Sequence, residues 1–170
     1  MSTVIPDLVR VVAIGAGATV VMDLGLALQR QLGARPIDLA LVGRWLGNMP
    51  RGEFVHAAIA RARPVRGERA LGWLVHYAVG IAFAALMVAI AGPGWMRDPT
   101  LAPALAMGVA SVAAPFLLMQ PAMGAGFAAS RTPSPAKSRL RSLLNHTVFG
   151  AGLYMAAAVV DAIVRLSPAR

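Results

Sequence analysis

This sequence predicts an all-α fold, a four-helix transmembrane bundle, on three observations. First, the chain has 170 residues, 58% hydrophobic and only 14% charged, with a mean hydropathy of +0.66. Soluble domains average about 45–50% apolar and about 25% charged, and one core of this length cannot hide the excess from water. Second, four apolar stretches are long enough to cross a hydrocarbon layer of about 30 Å, which takes about 20 residues. Third, the sixteen basic residues, fifteen of them Arg, lie outside those stretches. The net charge of +9 therefore marks topology and not a nucleic-acid surface, because the basic segments alternate with spans too apolar to stay in solution. Zero Cys excludes a disulfide framework, a cysteine nucleophile and thiolate metal sites.

The first span covers residues 11–28 and holds one charge, Asp23. Its flank carries Asp7 and its apolar run meets Asp23 without a clean cleavage site, which argues for a retained helix over a signal peptide. The connection that follows is expected to hold two short amphipathic interfacial helices. Ile37, Leu41, Val42, Trp45 and Leu46 recur at helical spacing, as do Phe54, Val55, Ala58 and Ile59 after Pro50. Trp45 would sit at headgroup depth, with Arg44 and Arg51 facing anionic lipid phosphates.

The second span covers 70–92, the third 101–120 and the fourth 143–164. Pro115 cannot donate to the carbonyl of Ser111, so the third helix should bend there, and Pro121 should end it with free carbonyls beside Gln120. Asp161 and Arg165, four residues apart, should pair at the far end of the fourth. Twelve basic residues lie in the two connections after spans one and three, and four lie elsewhere. That asymmetry places both connections in the cytoplasm and both termini on the outer side of the membrane. The whole chain reads as a single integral membrane domain.

A repeat is also visible. Arg69, Leu74, His76 and Gly80 match Arg139, Leu144, His146 and Gly150 at a constant offset of 70. Met22-Asp23 corresponds to Met119-Gln120, and Arg35-Pro36 to Arg131-Thr132-Pro133. Two parallel two-helix repeats would follow, related by an axis along the membrane normal.

Ionisable groups inside spans are costly and are functional candidates by default. At about 1.5 Å of rise per residue, Asp23, His76, Gln120 and His146 are expected at one depth, in the cytoplasmic third. Gly72, His76 and Gly80 share a helix face, as do Ser142, His146 and Gly150. Small residues allow close approach in lipid, so these faces should look inward. Four readings fit the cluster. It can be structural only. It can bind or pass an ion, proton or small solute. Two His can ligate a metal ion or haem, with Gly80 and Gly150 making room for the macrocycle. Or it can serve a lipid-headgroup enzyme, with Arg131, Arg139 or Arg141 on phosphate. No catalytic motif of specific spacing favours an enzyme. The same helix faces would also suit an accessory or scaffolding subunit, in a homo-oligomer or a larger membrane complex. Clustered methionines and the loop residue His56 are expected to be packing filler and solvated side chain respectively.

Several motifs stand out: Val42-Gly43-Arg44-Trp45-Leu46-Gly47, Met49-Pro50-Arg51-Gly52, Gly72-Trp73-x2-His76-Tyr77, Ala114-Pro115-Phe116-x2-Met119-Gln120-Pro121, Ala129-Ser130-Arg131-Thr132-Pro133 and Arg139-Leu140-Arg141-Ser142-Leu143. Together they resemble the bacterial domain-of-unknown-function family 2938. The resemblance spans nearly the whole chain. It implies a small multi-spanning inner-membrane protein and carries no assigned activity.

Overall fold

The computed structural model describes residues 4–34 and 38–166. Arg35, Pro36 and Ile37, drawn on above for the repeat and for the first interfacial helix, lie outside the described residues, as does Arg170. Five helices follow in order: α1 (Val4–Gln31), α2 (Leu39–Asn48), α3 (Glu68–Ala91), α4 (Leu101–Ala122) and α5 (Pro135–Leu166). No strand occurs among the described residues. Within α1, α3, α4 and α5, four segments are long and apolar enough to cross a membrane: Asp7–Gln31, Glu68–Ala91, Leu101–Ala122 and Pro135–Leu166. Helix α5 begins two turns earlier than its apolar run, because Pro135 suits a first helical position, where its missing N–H costs nothing.

Large apolar side chains point outward. Leu24, Leu74, Ile90, Leu117 and Val159 are exposed, while the interior is built of small residues with Ile14, Met87 and Leu153. This is the distribution expected when the surrounding solvent is hydrocarbon and helices associate by fit. Helix α1 packs on α3 where a Cβ on Gly15 would stand 2.5 Å from the backbone of Ile81, and on α5 where Gly17, Gly25 and Gly152 admit the neighbouring chain. Helices α4 and α5 meet at Gly108 and Gly150 in the same way. Helices α3 and α4 meet sparsely, and an apolar groove of about 260 Å³ lined by Met87, Ile90, Met107 and Ala110 lies between them. At that end of the bundle the turn Pro93–Met96 buries Trp95 and Met96. The expected Asp161–Arg165 pair forms there and is joined by Arg10 of α1, 3.6 Å from Asp161.

The opposite end carries a folded cap. Asp38 caps α2, its carboxylate accepting from the amide of Ala40 at 3.0 Å. Helix α2 then lies on the start of α3 so closely that a Cβ on Gly43 would come within 1.8 Å of the Glu68 carbonyl oxygen. Arg44 donates twice to Glu68, at 2.9 and 2.7 Å, and once to the carbonyl of Ala60 at 3.2 Å. The Glu68 carboxylate holds the guanidinium in its charged form, raising its pKa above the ordinary value. Trp45 is buried and donates to the Phe54 carbonyl at 2.9 Å. Asn48, fully buried, donates to the carbonyls of Arg44 and Arg63 and accepts from Arg51 at 2.9 Å.

Three expectations are corrected by this cap. The connection holds one helix and not two: residues 53–58 lack helical structure, and only a short 3-10 turn, Ile59–Arg61, follows. The amides of His56 and Ile59 instead donate to the carbonyls of Ala122 and Met123, at 2.8 and 3.1 Å, serving carbonyls that the end of α4 leaves open. Trp45, read as an interfacial side chain, is a buried core anchor of the cap. Arg44 is committed to Glu68 and so does not face lipid phosphate. The expected bend in α4 takes the form of a π turn, Pro115–Met119, in which the Gln120 amide reaches back to the Pro115 carbonyl.

The tight α2–α3 crossing predicts that Gly72→Leu destabilises the purified protein by about 1–3 kcal/mol through overpacking, since a Cβ there would lie 1.9 Å from the Leu39 carbonyl oxygen. Gly94→Ala, where a Cβ meets nothing within 4 Å, should leave thermal unfolding in detergent unchanged.

Candidate functional site

Helix α1 enters the site through Thr19, whose hydroxyl donates to the Gly15 carbonyl at 2.8 Å and is buried against Gly80 of α3. One turn further on, Asp23 meets α3. Its Oδ1 lies 2.9 Å from His76 Nε2, and its Oδ2 accepts from the Tyr77 hydroxyl at 3.0 Å. The carboxylate is thus held by two successive residues of one helix. Trp73 stands edge-on to the His76 ring at 5.9 Å, and Tyr77 does so at 5.7 Å, which confines the imidazole.

Helix α5 brings His146 to α4. Its Nδ1 lies 2.7 Å from Ser111 Oγ, and that hydroxyl also donates to the Gly108 carbonyl at 2.6 Å. Serine has one hydroxyl hydrogen. Since it goes to Gly108, His146 must donate from Nδ1, and its Nε2 keeps a lone pair with no hydrogen-bond partner among the described residues. The Ser111–His146 pair lies where Gly108 and Gly150 bring α4 and α5 together. Beside them Gln29 of α1 donates to Asn145 of α5 at 2.6 Å. Every spanning helix therefore contributes a polar group to one region of the bundle.

Of the four residues expected to converge, Asp23 and His76 pair directly, and His146 lies nearby but is bonded to Ser111. Gln120 does not join them. It follows Ser111 by nine residues, about 13 Å along a helix, and belongs to the cap, where its neighbours Met119 and Ala122 pack with Trp45 and Ile59. Gln120 stands two residues before the end of α4, where the segment 53–59 joins the helix. Gly80 and Gly150 do not make room for a macrocycle. The space beside Gly80 is filled by Thr19 and Gly15, and that beside Gly150 by Ala104 and Gly108. The Nε2 of His76 is already engaged by Asp23, and no group of three His, Asp or Glu side chains among the described residues is placed to hold a metal ion. Both hairpins pack their glycine on the preceding spanning helix, yet His76 meets a carboxylate and His146 a hydroxyl.

Four residues escape a reading by periodicity. Tyr77 adjoins His76, and successive helical residues do not normally share a face. Ser111 reads simply as a small residue on the Gly108 face. Gln29 and Asn145 are neutral amides with no spacing to link them.

The basic candidates separate by partner. Arg44 and Arg51 are used inside the cap, and Arg139 donates from Nε to the Ala128 carbonyl at 2.8 Å. Arg141 has its Nε buried without a partner. Arg131 lines an open cavity. His56, expected to be solvated, is half-buried with an unpartnered Nε2.

Four apolar spanning-length helices around a shared polar region define a small polytopic helical membrane protein. Over residues 12–160 the chain matches the family described as "Protein of unknown function (DUF2938)", and it belongs to that family. No curated protein and no solved structure matches it.

Removing the Asp23 carboxylate strands two donors in the bundle. Asp23→Ala should cost about 1–3 kcal/mol of stability, more than Tyr77→Phe, and thermal unfolding of both variants in detergent checks the order.

Proposed function

We propose that the polar region formed by Asp23, His76, Tyr77, Ser111 and His146 is a membrane-embedded binding or transport site for an ion, proton or small solute. One observation carries the reading: three ionisable side chains, Asp23, His76 and His146, stand on spanning helices, where such groups are costly, and the Nε2 of His146 has no partner among the described residues. A bundle held by fit alone has no need of ionisable groups at these positions, whereas a free ring nitrogen accepts a proton or a donor group on a ligand. The basic residues favour a cap end in the cytoplasm of an inner membrane, with periplasmic termini, so the site is reached from the cytoplasmic side.

Purified protein examined by native mass spectrometry, elemental analysis and absorption spectroscopy should carry a bound species, and a pH-sensitive dye inside proteoliposomes should report any proton flux. His146→Gln, which keeps a donor for Ser111 but removes the free ring nitrogen, should abolish either signal. An unchanged signal in that variant refutes the reading. Because the natural chain has no Cys, single substitutions test orientation without background: Arg61→Cys should be labelled only from the cytoplasm and Asp98→Cys only from the periplasm.

A second reading has the open groove between α3 and α4 in its favour. A helix of another chain, or of a second copy, would close it, as in an accessory subunit of a larger complex. Native mass spectra of gently solubilised membranes should then show the chain in a stoichiometric assembly.

A further inference from the structure

The cap end holds a second region whose polar groups are not accounted for by the fold. A cavity of about 270 Å³ opens there, lined by Val55, Pro121, Gly126, Phe127, Ser130 and Arg131. Its charge is free: Arg131 uses its backbone amide on the Ala125 carbonyl at 2.8 Å, while its guanidinium has no partner among the described residues. Arg44, Arg51 and Arg139 all have one.

The loop is shaped to present that group. Gly126 has φ +74°, and a Cβ on it would stand 2.4 Å from Ser130 Oγ and 2.9 Å from Arg131 Cγ, so both side chains fold across the glycine. Two successive alanines, Ala128 and Ala129, sit at φ 45° and 60°, a left-handed conformation that costs free energy in L-residues. Arg139 holds the first through its carbonyl and Thr132 the second, at 2.8 Å each.

The rim is apolar, with Phe127 65% and Val55 75% exposed. A free guanidinium and an exposed aromatic at the end of a spanning bundle match the membrane–water boundary better than bulk water.

We propose that this cavity is the headgroup site of an anionic phospholipid. Arg131 and Ser130 hold the phosphate, and Phe127 and Val55 lie along the upper acyl chain. Arg suits this task because its planar fork binds phosphate in a bidentate manner. The assignment is independent of the site within the bundle.

The test uses the full chain, delipidated in detergent and reloaded with phosphatidylglycerol or phosphatidylcholine, and read by native mass spectrometry. Wild type should retain one phosphatidylglycerol and not phosphatidylcholine. Arg131→Gln should lower that occupancy about tenfold or more at equal lipid, and Arg131→Lys, which keeps the charge, should recover part of it. Arg61→Gln, an exposed cationic control at the same end, should bind as wild type does. Phe127→Ser should weaken the lipid and leave any binding of inorganic phosphate untouched. Equal losses in the Arg131 and Arg61 variants, or none in either, overturn the site. Displacement of the lipid by inorganic phosphate at equal concentration overturns the lipid assignment in favour of a free-anion site.

Discussion

In hydrocarbon nothing drives one apolar helix face against another, because the lipid is as apolar as the partner. The bundle is therefore organised by the few places where backbones can touch. Helix α1 reaches α3 at Gly15 and Gly80 and reaches α5 at Gly17, Gly25 and Gly152; α4 reaches α5 at Gly108 and Gly150. Each contact sets a register, and the register decides which polar side chains fall within bonding distance. With Thr19 seated on Gly80, Asp23 is delivered one turn later to His76 and Tyr77. With Gly108 on Gly150, Ser111 is delivered to His146. The polar site is a consequence of the glycine contacts, and a side chain added at any of them would shift it.

The same solvent explains how much of the protein was readable beforehand. Span existence follows from local hydropathy, so all four spanning helices were legible, as was the depth that Asp23 shares with His76. Their pairing needed only helical rise and an inward-facing glycine. Ser111, by contrast, is identified by the tautomer it imposes on His146, and that depends on one hydroxyl hydrogen being spent on Gly108. Tyr77 lies off the stripe that contains His76 and reaches the same carboxylate because its side chain is longer. Neither fact is encoded in spacing.

The cap was the least legible part, for a related reason. Trp45 and the segment 53–59 have the apolar pattern of an interfacial surface, and the sequence offers no sign that a broken helix end is waiting for them. Helix α4 ends at Ala122, so the carbonyls of its last turn have no helical amides ahead of them. The amides of His56 and Ile59 take up those of Ala122 and Met123, which forces residues 53–58 out of helical geometry. Tertiary demand for donors overrode local periodicity. Gln120 was grouped with Asp23 and the two His because helical rise gives a depth and not the partner that a residue at a helix end takes up.

These links make the cap a brace for the helices that bear the polar site. Arg44 and the Gly43–Gly72 crossing fix the start of α3, two turns before His76; the 53–59 segment fixes the end of α4, beyond the π turn that follows Ser111. Helices α3 and α4 scarcely touch one another directly, so on this side the cap is the main connection between them. A π turn left free in lipid would be the weakest point of α4. Tied to the cap, it becomes a defined joint between two held segments, and the relative placement of His76 and Ser111 is set from the end of the bundle by Arg44, Trp45 and Asn48.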